Sequence, residues 1–294
     1  MSLRSRRSTC VLVLAILAAA AAASAQTKEP PAFEVASIRP SPEGPPAPGA
    51  AGVHITKEQV HFAYLSLRDY LSIAYSVPIQ RISAPEWVNS ARFDIGATFP
   101  GGATPEQFPQ MMQSMLRDRF KLQAHMESKE SPVFTLEVAN SGLKLVRVPD
   151  EVLPSDAPFS VTSSGGADGV TADLGNGASL VFNNTQFEAR KVTMRILVET
   201  LSRFMDRPIL DLTKLEGRYN VTFAMAQEDY MPMLIRSAVN AGITLPPQAM
   251  ALLDAPSIGS VENGLKSLGL SLEARRAPLD LLVVDSIEKT PTAN

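Results

Sequence analysis

Apolar residues recur with helical spacing at two places in the chain, each directly after a residue that can cap a helix. Ser66-Leu-Arg-Asp69 has the form of a capping box. The apolar positions that follow it are Leu67, Tyr70, Leu71, Ala74 and Tyr75. Thr193 precedes a similar series, which comprises Met194, Leu197, Val198, Leu201 and Met205. The spacing predicts one amphipathic helix at each place, and Pro78 ends the first.

Short segments of alternating polarity predict strands before and after these helices. An early strand is predicted over 33–39, before a proline-rich loop. The first helix is followed by predicted strands at 80–83 and 92–99, and the second by strands at 208–211 and 218–223. The distance from Ser66 to Phe93 differs by one residue from that between Thr193 and Tyr219. Arg92-Phe-Asp-Ile95 therefore matches Arg218-Tyr-Asn-Val221.

Each half of the chain then closes with a helical stretch and two strand segments joined by a turn, which predicts a hairpin. These segments are 106–119, 120–124 and 132–138 in the first half, and 261–268, 270–274 and 278–284 in the second. The fold class predicted is α+β. Two similar lobes are expected, each helix-strand-strand-helix-hairpin, packed as an antiparallel or mixed sheet with helices. An internal duplication explains the match, and a generic α+β pattern is the alternative.

Composition shifts divide the chain into four parts. Residues 1–25 form a predicted signal peptide, and 26–148 form the first lobe. Residues 149–178 are rich in glycine, serine and proline, which predicts a flexible linker or a long surface loop. The second lobe spans 179–294 and contains an insertion at 224–256. A methionine-rich stretch within the insertion predicts a helix that serves packing rather than ligand binding.

The N-terminus has the three parts of a secretory signal. Arg4, Arg6 and Arg7 precede an apolar run from Val11 to Ala23, and small residues lead up to Gln26. A membrane anchor is the rival interpretation, but the run is shorter than the roughly 20 residues that a spanning helix needs. The expectation is cleavage near Ala25 and export to the periplasm or the extracellular space. No later segment predicts a membrane span.

Cysteine and charge narrow the possible chemistry. Cys10 is the only cysteine and lies in the predicted signal, so the exported chain would have no disulfide and no thiolate metal site. The net charge is −3, and basic residues form no block interleaved with aromatic ones. Nucleic acid is therefore not expected as a partner.

Candidate chemical groups exist but form no coherent motif. His125 and Glu127 would share one face of a strand and could contribute two ligands to a zinc site. A polar strand face is the simpler interpretation, because no third ligand is evident. Asp94 and Asp211 could act as acid and base if the fold brought them together. Nothing in the sequence indicates that they meet, and Asp94 alternates with apolar neighbours as a solvated strand residue would.

Two serines and a tryptophan complete the candidates. Ser141-Gly-Leu-Lys144 and Ser286-Ile-Glu-Lys289 fit Ser-x-x-Lys, which works only when one helical turn places the lysine beside the nucleophile. Both lie at predicted strand ends or turns, which favours coincidence. Trp87 could be an exposed anchor for a partner or a core residue, and the core is favoured. We therefore predict no catalytic, cofactor-binding or metal-binding residues and no cofactor.

Several motifs, taken together, resemble one family. They are Phe33-Glu-Val-Ala-Ser-Ile-Arg-Pro40, Arg92-Phe-Asp-Ile95, Asp118-Arg-Phe-Lys-Leu122, Lys129-Glu-Ser-Pro-Val-Phe134, Arg207-Pro208, Gly217-Arg-Tyr219 and Leu282-Val-Val-Asp285. The sequence resembles the soil-associated family of exported bacterial proteins built on a domain of unknown function. The resemblance covers nearly the whole exported chain and implies no established activity. Lys214 departs from the glycine that is usual after Thr213.

The function expected from these observations is binding or sensing in the cell envelope. The partner would be an envelope protein or a small envelope ligand, bound at a sheet edge or in a groove. An envelope hydrolase, with a site assembled from residues distant in sequence, is the alternative, so catalysis is left open but less favoured. The ligand and the oligomeric state are also left open.

Overall fold

The computed structural model describes residues 30–44, 46–47, 49–149, 159–166, 169–240, 243, 245–254 and 258–292. The predicted signal peptide, residues 1–25, lies outside them. The described part contains seven α-helices and 14 β-strands, and the strands form two sheets, so the fold is α+β as predicted. Residues Ala32–Asn294 form one compact unit. The division into two lobes and the lobe boundaries stay predictions.

The strands that follow are numbered in chain order. They are β1 (Val35–Pro40), β2 (Ala51–Ile55), β3 (Gln59–Ser66), β4 (Ile82–Ser83), β5 (Arg92–Thr98), β6 (Gln123–Val138), β7 (Arg147–Val148), β8 (Phe159–Gly166), β9 (Gly169–Asp173), β10 (Ser179–Phe182), β11 (Gln186–Val192), β12 (Ile209–Asp211), β13 (Arg218–Ala224) and β14 (Leu270–Ser286).

The helices are numbered in the same way. They are α1 (Leu67–Tyr75), α2 (Trp87–Ser90), α3 (Phe108–Phe120), α4 (Met194–Ser202), α5 (Gln227–Asn240), α6 (Pro247–Met250) and α7 (Gly259–Ser267). Short 3₁₀ turns occupy Ile79–Arg81, Pro105–Gln107 and Ala251–Asp254. No helix in the described ranges is both long and apolar enough to cross a membrane.

The two predicted amphipathic helices are confirmed together with their caps. Ser66 caps α1 through a complete capping box with Asp69, and Thr193 caps α4 by accepting a hydrogen bond from the backbone of Ile196. The apolar face of each helix is buried, which stabilises it more than helix propensity alone would. Ser76 ends α1 in the left-handed conformation two residues before Pro78.

The larger sheet has ten antiparallel strands in the order β1-β5-β3-β2-β8-β9-β10-β11-β13-β7. Its inner face is apolar, and Phe93, Ile95 and Ala97 of β5 are buried as their alternation predicts. The predicted strand at 80–83 is extended only at β4, because a 3₁₀ turn occupies Ile79–Arg81.

The prediction of a linker or loop at 149–178 is wrong for most of its described part. Strands β8 and β9 lie there and connect β2 of the first half to β10 of the second within one sheet. Serine and glycine suggested a loop, but Val161, Thr162, Val170 and Thr171 lie among them, and β-branched residues favour strands. Ser164 and Thr171 are hydrogen-bonded across the two strands at 2.8 Å.

The smaller sheet has the order β12-β6-β14-β4 and corrects the two predicted hairpins. Each pair of hairpin strands is instead one continuous strand, and β6 and β14 pair with each other antiparallel over almost their whole length. We call this pair the ribbon. Residues 125–131 and 275–277, where the turns were expected, contain no glycine, asparagine or proline. They therefore lack the glycine and asparagine that two-residue hairpin turns favour.

The ends of the ribbon are exchanged between two core clusters. The first cluster comprises α1, α3, β3 and β5 together with Leu282 and Val284 from the end of β14. The second comprises α4, α7, β11 and β13 together with Phe134 and Leu136 from the end of β6. Each long strand thus begins at its own half's core and ends in the other, so that the two clusters depend on one pairing.

Arg68 holds the short strand β4 against the rest of the first half. Its guanidinium donates to the carbonyls of Ile79 (2.9 Å) and Ile82 and to the side chain of Asn89 (2.6 Å). Desolvation lowers the pKa of Arg68, and the neighbouring Asp69 partly opposes this shift. These bonds keep β4 in place beside β14.

The predicted insertion at 224–256 contains the expected methionine-rich helix, α5. Met233 and Ile235 are buried whereas Met231 is 44% exposed, so the helix packs by one face. Asp229 near its start accepts a hydrogen bond from the backbone of Ser260 at 2.6 Å and connects the insertion to α7.

Candidate functional site

Asp94 holds a bulge in strand β3 rather than lying free in solvent. The pairing of β3 with β5 shifts between Phe62 and Leu65, and Tyr64 adopts a left-handed φ of 62°. The Asp94 carboxylate accepts hydrogen bonds from the backbone N–H of Tyr64 at 2.9 Å and the hydroxyl of Ser41 at 2.6 Å. The Asp94 side chain therefore stabilises the bulge of β3.

The same arrangement occurs at the matched position of the second half. Strand β11 is bulged after Ala189, and Lys191 has a φ of 51°. Asn220 accepts from the backbone N–H of Lys191 at 2.9 Å, as Asp94 does from Tyr64. Arg92 and Arg218 donate to the carbonyls of the two bulge residues, at 3.1 Å and 2.9 Å. The match between the two tetrapeptides had indicated equivalent positions, but not this role.

The structure does not bring Asp94 and Asp211 together as a catalytic pair. Asp94 lies in the ten-stranded sheet and Asp211 in the four-stranded sheet. Asp211 accepts from both the backbone N–H and the hydroxyl of Thr213, at 2.9 Å and 2.7 Å, and so closes a local turn. Each carboxylate is engaged by its immediate neighbours.

His125 forms an ion pair with Asp285 across the ribbon. The His125 Nδ1 and the Asp285 Oδ2 are 2.9 Å apart, and both side chains are about half exposed. Glu127 lies two residues further along the same strand. The residues that the structure describes contain no group of three or more histidine, cysteine, aspartate or glutamate side chains arranged to hold a metal. The carboxylate that contacts His125 is that of Asp285, on the opposite strand of the ribbon.

The Asp285 carboxylate raises the pKa of His125, first by its hydrogen bond and then by its charge. Protonated histidine is thus favoured in the folded protein. The contribution of this ion pair to the stability of the folded protein is fully present below the pKa of His125 in the unfolded chain. It is lost as the pH rises through the higher pKa of the folded state.

The remaining candidates lie where the simpler interpretations place them. Ser141 and Lys144 follow β6 in a turn and an irregular segment, and Ser286 ends β14. Neither pair lies on a helical turn that would bring lysine beside serine. Trp87 begins α2 and is partly buried against the first core cluster.

Most of each long edge of the ribbon pairs with no strand in the part of the chain that the structure describes. Strand β12 covers only Phe134–Leu136 of β6, and β4 covers only Leu282 and Val283 of β14. Among the strands that the structure describes, no other one pairs with the outer side of either long strand. We call positions 124–132 of β6 and 272–280 of β14 the open edges.

The direction of the backbone groups at the open edges follows from the neighbouring pairs. The N–H of Phe134 donates to the Pro208 carbonyl, and the Leu136 carbonyl accepts from Leu212, both at 2.9 Å and both on the side away from β14. Because this direction alternates along a strand, the backbone N–H and C=O groups of the even-numbered residues of β6 point away from β14. We call these residues outward-pointing. From Leu270 to Val284, even-numbered residues of β14 stand opposite them, and their backbone groups also point outwards.

The composition of the open edges limits where another strand can pair. Pro132 and Pro278 lie at outward-pointing positions, where their missing N–H removes a donor. Charged side chains are frequent, and Arg275 pairs with both Glu137 (2.9 Å) and Glu273 (2.6 Å). Such features restrict unspecific association of strand edges. A stretch between Ala124 and Glu130 keeps its outward donors.

Two shallow depressions lie elsewhere on the surface. One, of about 380 Å³, lies over β8, β9 and β10 and is lined by hydroxyl side chains such as Thr162 and Ser179. Asp173 is the one titratable residue among its described lining. The other, of about 310 Å³, lies between the start of β1 and α3. Neither depression contains His125 or Asp211.

A family model described as "Protein of unknown function (DUF3738)" matches residues 68–287, roughly three quarters of the chain. The chain belongs to the DUF3738 family. The match begins within α1 and ends one residue after β14, so the DUF3738 region includes the whole ribbon. Neither a curated protein nor a solved structure matches the chain. The resemblance is thus confirmed as far as the domain of unknown function, and the association with soil bacteria stays a prediction.

Replacing Asp94 should change stability in a way that shows its structural role. We expect Asp94→Ala to lower the free energy of unfolding by about 1–3 kcal/mol, because the Tyr64 N–H loses its acceptor. Asp94→Asn should retain most of the stability, since Asn220 makes the equivalent bond. Urea unfolding measures both, with the exposed Asp118→Ala as control. An Asp94→Ala variant as stable as the control would contradict this role.

The ion pair of His125 should be visible in its titration. We expect NMR to give a His125 pKa above the ordinary value of about 6.5. Asp285→Asn should lower that pKa, because the negative charge is removed while the side chain keeps its shape. Equal pKa values in the two proteins would show that the ion pair does not form in solution.

Proposed function

We propose that this DUF3738 protein is an exported, non-catalytic binding or sensing module of the cell envelope. The observation that carries the proposal is the ribbon, whose two strands each present an open edge. The structural roles of Asp94 and Asp211 support binding over hydrolysis, since these carboxylates fix turns and bulges.

Binding at an open edge would proceed by strand addition. An extended segment of a partner aligns with the edge and forms backbone hydrogen bonds, while alternate side chains provide specificity. The ribbon suits this mode because β6 and β14 are fixed at both ends by the core clusters. The edge is therefore ordered before a partner arrives, which lowers the entropic cost of association. An envelope protein with an extended segment fits this edge better than a small ligand.

We propose, further, that the two halves arose by duplication. The matched caps at Ser66 and Thr193 and the matched bulges at Tyr64 and Lys191 support it. So does the transition from each final helix into the ribbon, which passes through a left-handed residue, Lys121 or Gly269. A duplicated origin would explain why the ribbon offers two similar edges.

Export can be tested directly on the native protein. Mass spectrometry should find an N-terminus near Gln26 in material from the periplasm or the medium, because a signal peptidase would cleave after Ala25. Intact Met1 in the cytoplasmic or membrane fraction would contradict export.

The edge proposal can be tested with proline variants at outward-pointing positions. Ser128→Pro removes a donor from the β6 edge and Ala274→Pro one from the β14 edge, while Ser128→Ala and Ala274→Ser keep both donors. After crosslinking in envelope extracts, we expect at least one proline variant to lose a partner that its matched control retains. Asp94→Asn, Asp211→Ala and His125→Ala should retain that partner.

Two results would contradict the proposal. Equal capture by both proline variants and their controls would exclude the open edges as the binding surface. Turnover of an envelope substrate that is abolished by Asp211→Ala or His125→Ala would instead support the hydrolase alternative. Circular dichroism and thermal unfolding of each variant show whether a loss of capture reflects a loss of fold.

A further inference from the structure

We propose that the open edge of β6 pairs antiparallel with the same edge of a second copy of this chain, with the twofold axis at Ser128. The inference rests on the proposed function, because it assigns a partner to one of the two open edges. It leaves the β14 edge for other partners.

The alternation of the backbone restricts the possible registers. Even-numbered residues of β6 point outwards, so each must face another even-numbered residue across the interface. The twofold axis can then lie at a residue between 126 and 130. Pro132 ends the usable stretch on one side and the buried Leu122 on the other.

Charge selects among these registers. An axis at Glu127 would place two glutamates opposite each other, and an axis at Lys129 would place two lysines opposite each other. Like charges at directly opposed positions are destabilising. An axis at Ser128 places Glu127 of each copy opposite Lys129 of the other, which gives two pairs of opposite charge.

The other registers are less favourable for different reasons. An axis at Met126 pairs the outward residues Ala124, Met126 and Ser128, as many as the Ser128 register pairs, but it leaves Lys129 opposite the uncharged Gln123. It would also direct Glu127 to His125, which is bonded to Asp285 at 2.9 Å. An axis at Glu130 opposes two glutamates and places Pro132 opposite the Ser128 donor. Among these registers, the Ser128 register is the one that places Lys129 of each copy opposite Glu127 of the other.

The surface at this edge is accessible and partly apolar. Glu127, Ser128 and Lys129 are exposed, and Met126 is 50% exposed although it is a large apolar residue. In the Ser128 register, Met126 lies beside the aliphatic part of Glu130 of the second copy. The guanidinium of Arg276 donates to the Glu130 carbonyl at 3.2 Å and must release it when the second strand binds.

The interface would be small and its affinity modest. The pairs at Ser128 and between Met126 and Glu130 supply about six backbone hydrogen bonds between the copies. Association would join the two smaller sheets into one. We therefore expect a reversible dimer that depends on protein concentration.

Exchange of the two charges tests the register. Sedimentation velocity of the exported chain should show a dimer that forms with rising concentration. In the dimer, Glu127→Lys places a lysine opposite Lys129 of the other copy, and Lys129→Glu places a glutamate opposite Glu127. Each variant should therefore weaken the dimer about tenfold or more. The double variant, Glu127→Lys with Lys129→Glu, restores both opposite pairs and should dimerise again. Ser128→Pro should abolish the dimer that Ser128→Ala retains.

Each remaining outcome decides against the proposal. A monomer up to millimolar concentration would overturn it, as would a dimer that Ser128→Pro leaves intact or a double variant as weak as the single ones. The proposed function is tested by a different result, because it requires that a proline variant at one of the two edges loses an envelope partner. A monomeric protein that loses its partner through Ala274→Pro would refute the dimer alone.

Discussion

The pairing of β6 with β14 is the interaction on which the rest of the structure depends. It joins residues that are far apart in sequence, from Gln123 opposite Ser286 to Val138 opposite Leu270. Because each strand ends in the other half's core, neither cluster is complete until the ribbon has formed. Contacts of such high sequence separation slow folding, since the chain between them must be ordered first. They also make the two halves stabilise each other.

Local features of this fold were predictable from the sequence, and non-local ones were not. Ser66 and Thr193 act on backbone groups three residues away, so a short pattern contains all the information for a cap. The alternation of Phe93 and Ile95 likewise identifies the buried face of one strand. Periodicity does not identify a strand's partner, and so 120–138 was predicted to be a hairpin, although 123–138 is one strand that pairs with 270–286.

In the candidate site, too, the features that depend on contacts distant in sequence could not be predicted. The sequence match of Arg92-Phe-Asp-Ile95 with Arg218-Tyr-Asn-Val221 marked equivalent positions, but a bulge forms only when a particular neighbouring strand is present. The open edges are also a property of the assembled sheet: an edge exists where no strand pairs, which no single segment encodes. His125 was recognised as a polar strand residue, whereas its partner Asp285 belongs to the opposite strand of the ribbon.

A continuous ribbon is therefore the central claim, since the exchanged cores and the open edges both follow from it. Cross-strand nuclear Overhauser effects between Hα protons test it most directly. Opposite residues that point outwards form the closely spaced pairs of an antiparallel ribbon, with Cα atoms about 4.5 Å apart. We predict strong effects between Ser128 and Asp280 and between Met126 and Leu282. Their absence, together with such effects between segments 120–124 and 132–138, would indicate local hairpins and contradict the account.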